Sequence, residues 1–405
     1  SGCLYLNKVK NVVLWKSQII ENYVKAVNGT IYLNSSVNFM ILYCIFLNNQ
    51  NNGGNGTLTV QNITKVVIVG SKFSKNVAKS GAGIFCIQCK SISIYNSSLM
   101  KNTATYLGGS IHIEENDNTV IFKTDFLANR VKEGGYIFLL NIKVFKIFSC
   151  LLLKNLEVKQ GGGLQIKNTK TNIESIVAIN NCLFDGNLAS KEGSAIIVQH
   201  SQTVHIVSSS ISLSSQDKTT ASAVLVQSKT MHFYNISFKG IIEKILILDL
   251  RISLRANISN AAFLCPPKTY LYEQPILHKD NEPFHIWYMC KSCGEKFYNM
   301  KLGLWYIKKQ ITDFKSNKEP YHCYACPAHS ICTNGEIITQ QNHWGYRVGD
   351  KVIVMSCPPD YCCPISQCTS YNACNTGREG LLCSSCKQDY SLSIRDNKCV
   401  LQKNL

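Results

Sequence analysis

Several groups of residues in this 405-residue chain have the types and spacing that could do chemistry. Acid–base work on a glycosidic bond needs two carboxyl groups a few ångströms apart. The acids nearest to a recurring sequence phrase are Asp125 and Asp185, which its register places two repeats apart on opposite sides of the same position. Glu133, Glu157, Glu192, Asp217 and Glu243 recur beside Lys132, Lys159, Lys191, Lys218 and Lys244, which describes a solvated corner of mixed charge and not a catalytic pair. His205 and His232 occupy equivalent repeat positions, and two imidazoles can hold a metal when a third ligand joins them. No carboxylate or thiol shares their column, so an ordinary surface pair is expected, with no metal and no cofactor. Cys86-x2-Cys89 lacks the βα setting of a redox motif and reads as a local disulfide or two packed thiols. Cys150 and Cys182 share one column on successive repeats, where a bridge and two buried thiols are both open.

The remaining cysteines are concentrated. Fourteen of the 20 lie in residues 265–405: Cys265, Cys290, Cys293, Cys323, Cys326, Cys332, Cys357, Cys362, Cys363, Cys368, Cys374, Cys383, Cys386 and Cys399. The CxxC pairs at 290/293 and 323/326 have zinc-ribbon spacing. A chain this rich in cysteine belongs to an oxidising compartment, where disulfides are the stronger expectation. All nine prolines also follow residue 264, whereas 28 of 37 asparagines and 18 of 25 glycines precede it. Two domains are therefore expected, 1–264 and 265–405.

Seven Asn-x-Ser/Thr sequons, at Asn28, Asn34, Asn55, Asn62, Asn96, Asn235 and Asn257, all fall in the first region. That region carries 26 Lys+Arg against 13 Asp+Glu. It has no aromatic–basic interleave, recognition helix or phosphate loop, so nucleic acid is excluded as a partner. Acidic glycans or a membrane surface suit the charge better.

The elements that must position these residues follow from one repeat. Anchors at Ile19, Phe46, Phe73, Leu99, Phe126, Leu152, Phe184, Ile211, Phe238 and Phe263 are spaced 27, 27, 26, 27, 26, 32, 27, 27 and 25 residues apart. Five before each anchor stand Leu14, Ile41, Ile68, Ile94, Ile121, Ile147, Ile179, Ile206, Phe233 and Ile258. Two before it the residues are small or are cysteine in most repeats, and three after it stand Asn22, Asn49, Asn76, Asn102, Asn129, Asn155 and Asn187. Superposed columns of this kind, at about 4.8 Å per strand and without proline, predict a parallel β-helix of about ten rungs. Glycine pairs (Gly108-Gly109, Gly134-Gly135, Gly161-Gly162) are expected to supply positive φ at a corner.

The phrases SKFSKNVAKSGAGIF, SSLMKNTATYLGGSI, TDFLANRVKEGGYIF and CLFDGNLASKEGSAI resemble the repeat of chlamydial polymorphic outer-membrane proteins and of pectin-lyase-like β-helices. The resemblance covers nearly all of residues 1–264 and implies a mainly β chain with a right-handed helix. GREGLLCSSCKQDYSLSIRDNKC resembles the closing part of EGF- and laminin-type modules, which implies a Cys386–Cys399 bridge. NHWGYR followed by CPPDYCC resembles large surface proteins of ciliates and related protists, in which membrane helices usually follow. No stretch here approaches 18 uninterrupted apolar residues, so the chain reads as a mature form or a fragment whose full-length form is membrane-anchored. The expected function is non-enzymatic: a glycosylated, extracellular or cell-surface rod that binds surface or matrix proteins or acidic glycans and joins an assembly. A carbohydrate-active enzyme and a receptor ectodomain are the alternatives.

Overall fold

The computed structural model describes the chain except residues 1–2, 26, 155–157, 170–173, 213–221, 240–244, 250–254, 266–267, 278–282, 301–303, 312–322, 364–367, 395 and 403–405. Among the described residues there is no α-helix, and the architecture is a parallel β-solenoid of about nine turns with a cysteine-rich region after it. Two compact units result. One joins residues 1–264 with 273–289 and 305–317, and the other comprises 265–272, 290–304 and 318–405.

Each rung of the solenoid contributes to three long ladders, typified by Ile111–Glu114, Asn118–Phe122 and Asp125–Leu127, and most contribute a short fourth strand such as Thr103–Leu107. The register agrees with the sequence columns at every rung. The anchors pair in order from Ile19↔Phe46 to Phe238↔Phe263. The aliphatic column pairs from Leu14↔Ile41 to Phe233↔Ile258. All its members are buried except Leu14, which is half-buried on the first rung. Stacking follows from superposition: the Phe46 and Phe73 rings lie 4.3 Å apart and within 3° of parallel.

Most of the described corners between the long ladders are turned by one residue in the left-handed region. Examples are Gln88, Glu115 and Asn141 at the first corner, Tyr43, Asn96 and Lys123 at the second, and Lys75, Lys101 and Ala128 at the third. Such a conformation costs a non-glycine residue roughly 1–2 kcal/mol. The residue after the corner offsets this by pointing inward and serving as a hydrogen-bonding step between rungs. At the second corner the Cys44 N–H donates to Ser71 Oγ (3.0 Å) and the Ser71 N–H to Ser97 Oγ (3.1 Å). Each of these serine hydroxyls donates to the carbonyl two residues earlier. At the third corner the asparagines form a continuous ladder. Asn102 Oδ1 accepts from both the backbone N–H and Nδ2 of Asn76, while Asn102 Nδ2 donates to Asn129 Oδ1 and to the Phe73 carbonyl. Asn155 lies outside the described residues.

The glycine pairs serve two purposes. Gly108, Gly134 and Gly161 have positive φ, as expected. Gly109, Gly135 and Gly162 do not; a Cβ on Gly162 would stand 2.0 Å from the Ser194 carbonyl oxygen, so close backbone approach excludes any side chain there. Together these turns fold the end of each rung over the first ladder. The column Tyr32, Thr59, Phe85, His112, Phe138, Gln165 and Ile197 faces away from the main interior by strand alternation, yet it is buried. A narrow second core results, which no single column of the sequence announces.

After Leu264 the chain returns to the solenoid. Pro283–Ser292 pairs antiparallel with Leu246–Asp249, and Leu304–Ile311 adds to Arg255–Leu264. Tyr288 is buried 5.6 Å from Phe263 and extends the aromatic stack beyond the last rung. A solenoid end leaves strand edges and apolar positions uncovered, and these strands cover part of that end.

The second unit is made of short antiparallel hairpins, among them His343–Val348 with Lys351–Ser356 and Tyr390–Leu392 with Cys399–Leu401. Its apolar interior is small, centred on Tyr298, Cys332, Ile337 and Val352. All fourteen cysteines are paired: 265–290, 293–323, 326–332, 357–362, 363–368, 374–383 and 386–399. The two CxxC pairs are therefore divided among three bridges and form no four-sulfur cluster. Cross-links are the usual means by which so small a core is held.

Candidate functional site

The outward side of the second ladder carries a column that lies four residues before each anchor: Trp15, Leu42, Val69, Tyr95, Phe122, Phe148, Asn180, Val207, Tyr234 and Ser259, in unbroken register. Eight of these ten are apolar or aromatic, none is buried, and Trp15 and Tyr234 are more than half exposed. Beside it runs Val13, Met40, Val67, Ser93, Val120, Lys146, Ala178, His205 and His232. Across the second corner, the third ladder presents Ile20, Leu47, Met100, Leu127 and Leu153 outward, all exposed or half-buried. Corner lysines sit on the aromatic rings, Lys16 Nζ 4.9 Å from the Trp15 ring centre and Lys123 Nζ 5.2 Å from that of Phe122. A strip of apolar surface bordered by cations is suited to another protein surface or to ligands with both apolar and anionic groups. The signal was present in the sequence, two residues after the column that holds the two histidines.

The structure separates the candidate acids. Asp125 and Asp185 stand two rungs and two strand positions apart, roughly 11–12 Å between Cα atoms at ordinary strand spacings. Asp185 is engaged by Ser212, and burial raises the Asp125 pKa above the usual carboxylate value. At the corners, Glu133 is ion-paired with Lys159, which holds its carboxyl below the usual range, while Lys191 and Glu192 are exposed. Glu157, Asp217, Lys218, Glu243 and Lys244 lie outside the described residues. His205 and His232 stack face to face, ring centres 4.8 Å apart and 8° from parallel. Burial and then the neighbouring imidazole push His205 below the usual histidine value. Among the described residues no three metal-ligating side chains converge.

Cys86 and Cys89 form a disulfide, whereas Cys150 and Cys182 remain buried thiols. Cys150 takes the place of a serine in the second-corner ladder: its sulfur accepts from the Thr124 N–H and contacts the Phe148 carbonyl. Contact with Cys182 and then burial push the Cys150 thiol well above its ordinary value. An ionisable pair with a buried histidine escaped the sequence reading. His112 lies edge-on to Phe85 and Phe138 in the second core, with Nε2 2.7 Å from Glu114, whose carboxyl it holds below the usual range.

Of the sequon asparagines, Asn62, Asn96, Asn235 and Asn257 are exposed, and Asn28, Asn34 and Asn55 are half-buried. Asn62 occupies a left-handed first corner, and Asn96 and Asn235 occupy left-handed second corners beside the apolar column. Asn257 follows His232 in its column.

No family model, curated protein or solved structure matches this chain.

Proposed function

We propose that this chain is a non-enzymatic, N-glycosylated cell-surface or secreted protein whose solenoid is a rigid rod for attachment. The observation that carries the reading is the in-register apolar and aromatic column at the second corner. A soluble rod has no structural need for eight outward apolar residues in line, and large exposed apolar patches generally mark interaction surfaces. Eight disulfides support an extracellular or secreted setting. The net charge of +17 adds a salt-sensitive attraction for acidic glycans or membrane surfaces. In this reading the cysteine-rich unit is an EGF- or laminin-like module, the solenoid is of the pectin-lyase-like kind, and the natural partners are other surface or matrix proteins. Among the described residues, no arrangement of acids favours glycoside chemistry.

The test is binding of the intact protein to immobilised matrix proteins and to sulfated glycan across a salt series. The comparison is a variant carrying Tyr95→Ser, Phe122→Ser and Phe148→Ser. Loss of matrix-protein binding in the variant, with salt-sensitive glycan binding retained, is the expected result. Equal binding by both proteins refutes the role of the column. Release of reducing ends or unsaturated uronic acid from a polysaccharide panel would instead make the chain an enzyme.

A further inference from the structure

The second corner holds two sequons in the same local setting. Asn96 and Asn235 are both left-handed, exposed, preceded by an outward tyrosine (Tyr95, Tyr234) and followed by an inward residue. At Asn235 a cavity of about 410 Å³ adjoins the corner, lined by Ser208, Ser210, Asn235, Ser237 and Asn260 together with Ile236 and Ala262. Its volume falls within the roughly 300–1,000 Å³ of small-ligand sites, and its walls combine hydroxyl and amide groups with apolar surface from Ile236 and Ala262.

We infer that this groove is the seat of the chain's own N-linked sugar at Asn235, with the exposed Tyr234 ring as its apolar platform. The inference rests on the secretory reading above. Attachment would precede folding. The Asn235 Nδ2 attacks the anomeric carbon of a lipid-linked pyrophosphoryl oligosaccharide, the new C–N bond forms, the C–O bond to pyrophosphate breaks, and one amide proton leaves with the released pyrophosphate. The linkage leaves one hydrogen on Nδ2. That hydrogen suffices for the bond from Nδ2 to Ser208 Oγ (3.5 Å), and Oδ1 still accepts from Asn260 Nδ2 (3.1 Å). The folded corner therefore accommodates the glycosylated side chain without giving up either contact. The first sugar ring then has hydroxyl partners in Ser210 and Ser237, which bond to each other at 2.9 Å, and an aromatic face in Tyr234. Asn96 shares the corner and the tyrosine but does not line this groove, which makes it an internal control.

The experiment uses the full chain secreted from a eukaryotic host and treated with an amidase that cleaves the Asn–sugar bond. Release at each site is followed by peptide mass spectrometry, native and in urea. Release at Asn235 is expected to be about tenfold slower in the native protein than in urea, the change that one seated contact produces, while Asn96 and Asn62 show no such lag. Tyr234→Ala and Ser210→Ala, both at accessible positions, are expected to abolish the lag. Equal native release at Asn235 and Asn96, a lag that survives both substitutions, or sugar at other sequons but not at Asn235 would each overturn the seat. Absence of sugar from all seven sequons would refute the secretory reading itself, which separates the two failures.

Discussion

Replacing Asn102 by alanine tests whether the asparagine ladder or the apolar stack holds the rungs together. Asn102 is fully buried in mid-solenoid. Its Oδ1 accepts from the Asn76 N–H at 3.1 Å and from Asn76 Nδ2 at 3.0 Å, and its Nδ2 donates to the Phe73 carbonyl at 3.0 Å. Alanine removes these bonds and the one to Asn129 Oδ1 in a site closed to bulk water, leaving the Asn76 N–H without its acceptor while Asn76 Nδ2 keeps the Phe46 carbonyl, at about 1–3 kcal/mol for each group left unsatisfied. Partial relaxation places the expected loss at about 3–5 kcal/mol. Asn22→Ala is the matched control, because Asn22 is half-exposed at the start of the ladder, and its loss should stay below about 1 kcal/mol. Urea unfolding followed by circular dichroism measures both. Amide exchange at Asn76 reports the local event, since that N–H loses its acceptor while the neighbouring strand bonds persist. Asn102→Leu restores volume without hydrogen bonds and should recover little. A loss for Asn102→Ala no larger than for Asn22→Ala, unchanged Asn76 exchange, or full recovery by leucine would refute the reasoning and leave side-chain packing as the source of cohesion.

Ile121→Ala, in the buried aliphatic column, should cost about 2–5 kcal/mol by the same urea assay; a loss typical of surface sites would contradict the burial of that column. Gly162→Ala should destabilise by at least about 1–3 kcal/mol, because its Cβ would meet the Ser194 carbonyl oxygen at 2.0 Å; wild-type stability would mean that this backbone approach is not rigid. His205 favours its neutral form in the fold, so its stability contribution is complete above the unfolded value near pH 6.5 and is lost as pH falls through the lower folded value. Thermal melts from pH 7.5 to 4.5 should show a step that His205→Gln removes, and an identical profile for both proteins would dismiss the stacked pair as its source. Non-reducing peptide mapping should recover Cys386 linked to Cys399 and no stoichiometric zinc, whereas free thiols with bound zinc would restore the ribbon reading.

The solenoid was legible because its chemistry repeats. A column recurring every 25–27 residues reports the same environment again and again, so apolar, small and asparagine positions could be assigned to the interior before any coordinate was known. The outward apolar column was equally legible, yet it remained hidden until the register was tested at one more position. The 32-residue rung shows the limit of periodicity. Its extra residues lie between Leu164–Lys167 and Ile176–Asn180, and the columns resume without a slip on either side.

What the residues alone determined is the period, the four inward columns and the compartment suggested by cysteine usage, since each depends on residue type at fixed spacing. Tertiary structure decided the rest. Disulfide connectivity among fourteen cysteines depends on which hairpins meet, and the second core depends on rung ends folding over a face that alternation alone would expose. The groove beside Asn235 exists because Ser208, Asn235 and Asn260 stack across three rungs, at separations of 27 and 25 residues. Sequence specifies what each rung offers its neighbours; only the closed stack determines which of those offers remain turned toward solvent.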